Sequence, residues 1–252
     1  MNKAVGIIPA RYASTRFPGK PLGLIGNKPM IQHVYERASH AKSLDKVIVA
    51  TDDERIMQAV KSFDGDVFLT RTDHQTGSDR IAEVAENLDF AIIVNIQGDE
   101  PFVDPDAIDQ TVELLQNSPD AAISTLVAPI RNSSDLHNPD VAKVVLNNNH
   151  EALYFSRAAI PYNRDEKNPG KWLEYGNYYQ HIGFYVYRKE ILMQFVKWPL
   201  GTLEKRESLE QLRLLENGYK IVCAEVPQTA MCVDTPEDLE KAQQYWEEQQ
   251  LV

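Results

Sequence analysis

The sequence predicts an α/β fold: a doubly wound, mostly parallel sheet with a smaller antiparallel lobe. Three observations carry this. Short continuous apolar runs alternate with amphipathic stretches through the first half; Gly, Asp or Pro bounds each run; and beyond residue 120 strands follow one another with little helix between them. Continuous apolar runs suit strands buried on both faces of a parallel sheet. Right-handed crossovers through the intervening helices then place layers on the sheet.

Strands are expected at 4–9, 46–51, 67–70 and 91–97. Between them, 29–42 carries Met30, Ile31, Val34 and Ala38 on one stripe, with Pro29 near the first turn. The stretches 53–63, 78–88 and 105–116 repeat the amphipathic pattern. Strands at 121–128, 141–146, 153–156 and 180–187 make the lobe. The segment 161–178, rich in Asn, Lys, Asp and Gly, reads as a long loop, a kind that is usually functional or mobile. A helix over 207–216, a strand over 219–226 and a final helix from Pro236 close the chain. No repeat or linker is evident. The expected organisation is therefore one domain, 1–252, with the lobe inserted at about 121–200.

Composition narrows the function classes. The 252 residues include 26 Lys+Arg against 37 Asp+Glu, a formal net charge of −11. A nucleic-acid backbone would meet mostly like charge, so no nucleic-acid partner is expected. No apolar run approaches the ~18 residues of a membrane span, so none is expected to lie in a bilayer. Cys223 and Cys232 are the two cysteines, with neither a disulfide framework nor zinc-ligand spacing. A reducing, cytoplasmic compartment follows as the expectation.

Against that acidity, one segment is basic. The loop after the first strand, Pro9-Ala10-Arg11-Tyr12-Ala13-Ser14-Thr15-Arg16-Phe17-Pro18-Gly19-Lys20-Pro21, carries Arg11, Arg16 and Lys20 with no acid among them. Ligands of open α/β sheets bind beyond the carboxyl ends of strands, where this loop leaves the sheet. Arg forks, a Lys point charge and backbone N–H groups near Gly19 suit a triphosphate. A solvated basic surface is the competing reading, but the prolines and Gly19 stiffen the loop and favour a site. It is no Walker A loop, since the first Gly of that pattern would fall on Ser14 and its Ser/Thr on Pro21.

The segment Pro9-Ala10-Arg11-x-x-Ser14-x-Arg16-x-Pro18-Gly19-Lys20-Pro21 resembles the signature of the sugar-acid cytidylyltransferases. The resemblance spans nearly the whole chain. It recurs in Asp73-His74-Gln75-Thr76-Gly77-Ser78-Asp79-Arg80 and Val94-Asn95-Ile96-Gln97-Gly98-Asp99-Glu100-Pro101. It continues in Leu153-Tyr154-Phe155-Ser156-Arg157, His181-Ile182-Gly183-Phe184-Tyr185, Leu209-Glu210-Gln211-Leu212-Arg213 and Val233-Asp234-Thr235-Pro236. It implies a Rossmann-like sheet of the nucleotide-diphospho-sugar transferase type. The implied activity is Mg²⁺-dependent transfer of CMP from CTP to a 3-deoxy-octulosonate sugar acid (Kdo) for lipopolysaccharide biosynthesis, by a homodimer. The same chemistry on an 8-amino sugar acid, or a non-catalytic nucleotide-sugar-binding protein, are the alternatives.

Residue by residue, the resemblance implies Arg16, Lys20 and Asp99 as catalytic, and Ala10, Arg11, Gln75, Gly77, Ser78 and Gln97 as nucleotide-binding. Arg157, His181, Tyr185, Glu210 and Gln211 would hold the sugar, Arg157 by its carboxylate. Asp99 and Asp234 would hold the metal, since Mg²⁺ takes few carboxylates and keeps phosphate and water as further ligands. Two residues depart from the family pattern: Cys232, where Gly is usual, and Gln180, where Arg commonly precedes the His. Cys232 is expected to be a packed thiol rather than a nucleophile. Thr235-Pro236-Glu237-Asp238 reads as a helix start with Thr235 as N-cap, a cap that does not need Asp234.

Overall fold

The computed structural model describes residues 3–13 and 17–250. The chain forms two compact units, Met1–Asp109 with Ala230–Val252, and Gln110–Thr229.

The first unit starts with β1 (Ala4–Ala10), a small hairpin of β2 (Leu24–Ile25) and β3 (Lys28–Pro29), and α1 (Met30–Ala38). It continues through β4 (Lys46–Thr51), α2 (Glu54–Ser62), β5 (Val67–Leu69), α3 (Gly77–Glu86) and β6 (Ile92–Asn95). Four strands pair in parallel in the order β6-β1-β4-β5. Their apolar runs are buried, as that pattern requires: Val5, Ile7, Val49, Ile93 and Val94 are fully enclosed. The stripe on α1 faces inward, with Met30, Ile31, Val34 and Ala38 all buried. This helix stops short of the expected end at 42: His40 and Ala41 bond to Arg37 O and Ala38 O in tighter turns, and Lys42 and Ser43 then give their backbone N–H groups to the Asp109 carboxylate.

α4 (Pro105–Gln116) contains the boundary between the units. The second unit then runs through β7 (Ala121–Pro129), α5 (Ser133–His137), β8 (Lys143–Leu146), β9 (Ala152–Ser156) and β10 (Tyr179–Arg188). It ends with α6 (Lys189–Phe195), α7 (Thr202–Glu207), α8 (Leu212–Glu216) and β11 (Lys220–Glu225). β7 pairs with β11 in parallel and with β10 antiparallel; β8 pairs antiparallel with both β10 and β9. The β7–β10 register slips between Ile182 and Tyr185, which marks a bulge. The expected loop at 161–178 contains a 3-10 turn, Pro169–Glu174, whose Trp172 is buried with Ile130, Leu136 and Tyr178.

One expected element is corrected. The helix expected over 207–216 is two helices, because Ser208 adopts a left-handed conformation with φ of 51°. The Arg157 guanidinium satisfies the carbonyls at that break, donating to Glu207 O at 2.6 Å and Ser208 O at 3.3 Å.

After β11 the chain rejoins the first unit and ends in α9 (Pro236–Gln250). Thr235 caps α9 reciprocally with Asp238, as expected: each side chain accepts the other's backbone N–H, at 3.2 and 3.1 Å. α9 packs on the hairpin, where Ile25, Met30, Val233 and Ala242 form a core with Leu239 and Trp246. The class is the expected mixed α/β fold, mostly parallel with a small antiparallel part. No described helix is long and apolar enough to cross a membrane.

Candidate active site

The first unit carries a cavity of about 410 Å³ lined by the end of β1, the basic loop, the start of α3 and the turn after β6. Two glycines shape it. Gly98 has no Cβ because one would stand 2.8 Å from the Pro9 carbonyl oxygen, so the turn after β6 lies directly against the end of β1. Gly19 adopts φ of 75° beneath the Tyr12 ring and donates its N–H to Tyr12 O at 2.9 Å, which pinches the basic loop closed. Arg55 stacks over the Tyr12 ring, 3.3 Å from its centre. Lys20 follows at the start of a 3-10 turn and reaches into the cavity.

There its ammonium lies between two carboxylates, 2.8 Å from Asp99 Oδ2 and 3.1 Å from Asp234 Oδ1. Burial alone would lower the Lys20 pKa, but Asp99 and Asp234 together raise it above the usual lysine value. The ammonium is a permanent cation there. Val233 donates its N–H to Asp99 O at 2.9 Å, so the turn after β6 and the approach to α9 are tied beside the two acids. Burial first, and then Asp99, push Glu100 up to about 7. Ligand atoms of Asp99, Cys232 and Asp234 all lie within 4.8 Å of one another. Two carboxylates against one lysine leave one negative charge, which suits a hard cation that also takes phosphate oxygens.

Cys232 differs from its expectation as a packed thiol. It is exposed, because its neighbour Val233 takes the buried place in the core. Although the residue is exposed, its thiol is partly withdrawn from water; that, and then the Asp99 and Asp234 carboxylates, push its pKa up, so the thiol stays protonated and is no nucleophile.

The structure brings together nearly all of the nucleotide residues expected from the sequence. Ala10, Arg11, Gln75, Gly77 and Gln97 line the cavity with Lys20, Asp99 and Asp234. Ser78 does not: it is buried at 1% exposure and is not part of the lining. Arg16 lies outside the described residues. His74 and Arg80 were not expected and do line the cavity. Arg80 is held by Asp52 at 2.8 Å and by Thr70, and His74 by Glu83. Their signal was available in the His-Gln-Thr-Gly-Ser-Asp-Arg run, where the two flank the start of a helix.

The second unit carries its own cavity, also about 410 Å³, lined by β10, the start of α8 and the loop before β8. Arg157, His181, Tyr185, Glu210 and Gln211, the whole expected sugar set, line it. Among the described residues the Arg157 guanidinium donates to three carbonyl oxygens, Pro139 O at 2.9 Å being the third. Its charge therefore remains for an anion, and two of its five N–H groups are not used by these bonds. Burial lowers the His181 pKa to about 3, so the imidazole is neutral at any ordinary pH. Burial, then Glu210, raises the Tyr185 pKa well above the usual tyrosine value and keeps its hydroxyl a donor. A Cβ on Gly183, also in the lining, would meet nothing within 4 Å.

A cavity of about 410 Å³ at the carboxyl ends of parallel strands, with a lysine set between two acids, lies where open α/β sheets bind their ligands and has the charge to meet phosphates. The chain belongs to the cytidylyltransferase family, whose model matches residues 5–221. It is 51% identical over 248 residues to the 3-deoxy-manno-octulosonate cytidylyltransferase of Parabacteroides distasonis, covering 96% of this chain and 97% of that one. It is 50% identical over 239 residues to the enzyme of that name from Geobacter sulfurreducens, covering 93% and 96%. A solved CMP:2-keto-3-deoxy-manno-octonic acid synthetase complexed with CTP is 42% identical with a TM-score of 0.92, covering 98% of this chain and 99% of that one. The 4-diphosphocytidyl-2C-methyl-D-erythritol synthase of Anaerococcus prevotii, at 13% identity and a TM-score of 0.63, shares the fold.

Proposed function

We propose that this protein activates Kdo, taking CTP and the sugar acid to CMP-Kdo and pyrophosphate in cytoplasmic supply of lipopolysaccharide precursors. The observation that carries the reading is the second cavity. Arg157, Tyr185, Glu210 and Gln211 combine one cation for a carboxylate with directional groups for a row of hydroxyls, and neutral His181 is bonded to Gln211 beside them. Relatives about half identical over nearly the whole chain bear the name of this activity.

In the reaction the anomeric oxygen of Kdo forms a bond to the α-phosphorus of CTP. The bond from that phosphorus to the bridging oxygen breaks, pyrophosphate leaves, and the hydroxyl proton passes to solvent. The chain's part is positioning and charge. Lys20, held protonated by Asp99 and Asp234, and the basic loop with Arg11 and Arg16 neutralise phosphate oxygens. The Gly19 N–H to Tyr12 O bond holds the two ends of the loop together beside the cavity. Asp99 and Asp234 would hold Mg²⁺, which when bound supplies a Lewis acid for the phosphate charge. Family membership favours a homodimer as the working form.

The test is pyrophosphate release from CTP, Mg²⁺ and Kdo, with ATP in place of CTP and an 8-amino sugar acid in place of Kdo as parallel arms. Turnover is expected with CTP and Kdo, with little from ATP. Equal use of ATP, or no turnover until the 8-amino sugar acid is supplied, overturns the assignment.

A further inference from the structure

The second cavity contains a chain of hydrogen bonds whose direction can be worked out, and it starts at a residue outside the expected site. Thr125 lies on β7, fully buried, at the place where the β7–β10 register slips. Its Oγ1 lies 2.7 Å from Phe184 O, 3.2 Å from Ile182 O and 2.9 Å from His181 Nε2. A hydroxyl has one proton. Two carbonyl oxygens lie against Oγ1 at the bulge, and a carbonyl can only accept. The proton therefore goes to Phe184 O, the nearer of the two, and Oγ1 is left to accept from His181.

Consequences follow around the ring. His181 is neutral, so a proton on Nε2 leaves a lone pair on Nδ1. Gln211 Nε2 lies 3.3 Å from that Nδ1 and donates to it, while Gln211 Oε1 accepts from the Tyr185 hydroxyl at 3.1 Å. The amide is thereby fixed in one of its two orientations. Beyond these two bonds it keeps one N–H and one oxygen lone pair, a donor and an acceptor side by side as a sugar hydroxyl requires. Both nitrogens of His181 are spent inside the chain.

We propose that Thr125 is a positioning residue: it sets the His181 tautomer, and through it the orientation in which Gln211 meets the sugar acid. His181 on this view acts through Gln211 rather than on the sugar. The role of Gln211 rests on the reading of this cavity as the sugar site; the tautomer does not.

The experiment joins a spectroscopic and a kinetic readout on the full-length protein. Two-dimensional ¹⁵N–¹H spectra of histidine-labelled protein assign the His181 tautomer, with His181→Asn locating its signals. Wild type is expected as the Nε2–H form. Thr125→Val removes the hydroxyl and keeps the shape. It is expected to change that tautomer signature and raise KM for Kdo about tenfold, the size of one hydrogen bond, with KM for CTP within about twofold. Thr125→Ser, which keeps the hydroxyl, should restore both. An Nδ1–H tautomer in wild type overturns the proposal without any variant, so a Thr125→Val protein that failed to fold would not shelter it. A folded Thr125→Val enzyme with unchanged KM for Kdo overturns it as well. Absence of Kdo turnover in wild type beside the expected tautomer would count against the substrate and leave the Thr125–His181 relation standing.

Discussion

The two cavities have the same volume and opposite physics. In the first unit the functional groups are charges: Lys20 between Asp99 and Asp234, with Arg11 on the same wall. In the second a run of neutral dipoles with assigned directions goes from Thr125 through His181 and Gln211 to Tyr185, with Arg157 and Glu210 supplying the charges. The difference follows the ligands. A triphosphate is recognised and activated by charge, which tolerates small changes in angle. A row of hydroxyls is told apart only by donors and acceptors held in fixed orientation, and a site so built rejects a wrong partner because its own groups stay unpaired. A bulge in a buried strand pair is a rigid place to build such orientation; a pinched basic loop suffices for charge.

The largest expected effect breaks the frame of the second cavity. Arg213 on α8 pairs with Glu204 on α7, Nε to Oε2 at 2.7 Å, and both are buried. This pair joins the helices on either side of the Ser208 break. Arg213→Leu strands a buried carboxylate and should cost about 3–5 kcal/mol of stability, read as a lowered urea midpoint. Next in size, Lys20→Ala should lower turnover by roughly 10²–10³, about 2.7–4 kcal/mol, with the circular dichroism spectrum unchanged; Arg16→Ala should act alike. Near-normal turnover in both would reduce the loop to a solvated surface.

Asp99→Asn and Asp234→Asn sharpen the first cavity further. Each should lose turnover and its dependence on Mg²⁺, and the double variant should be little worse than the poorer single, as for groups that act as a unit. Full Mg²⁺-dependent turnover in Asp234→Asn alone would return Asp234 to a helix-start acid.

The smallest effect is one of pH. Unfolded, His181 titrates near 6.5; folded, burial holds it down to about 3. Below pH 6.5 the unfolded chain binds a proton that the folded one refuses, so stability falls with pH, by up to about 1.4 kcal/mol per unit. His181→Asn should flatten that slope between pH 6.5 and 5.5 in denaturant titrations. An unchanged slope would mean that the imidazole is solvated.

The parallel strands were legible because burial on both faces leaves no room for polar residues, and that writes a continuous run. The charged cavity was legible because Arg11, Arg16 and Lys20 crowd one stiff loop without an acid, and such cations repel one another until an anion lies among them. The break at Ser208 was not, since a left-handed serine looks in sequence like any helical one, and the bonds that support it come from Arg157, about fifty residues earlier and just past β9. Thr125 was half visible. Ser124 and Thr125 are two adjacent hydroxyls inside the apolar run of β7, yet only Thr125 meets the cavity residues; Ser124 donates to Thr111 O at 2.7 Å. Ser78 is a case where motif position and exposure point different ways: the motif groups it with the nucleotide residues, while the inward face of α3 buries it.

The division of labour between the cavities is tested most directly by the two Michaelis constants of Gln211→Leu, measured by pyrophosphate release. Gln211 is only 2% exposed, and leucine is apolar and one side-chain heavy atom smaller, so the change removes hydrogen bonding at a small cost in volume. The expected result is a KM for Kdo raised about tenfold or more with the KM for CTP within about twofold of wild type. A KM for CTP that rises while that for Kdo stays put would contradict the assignment of the two ligands to the two cavities.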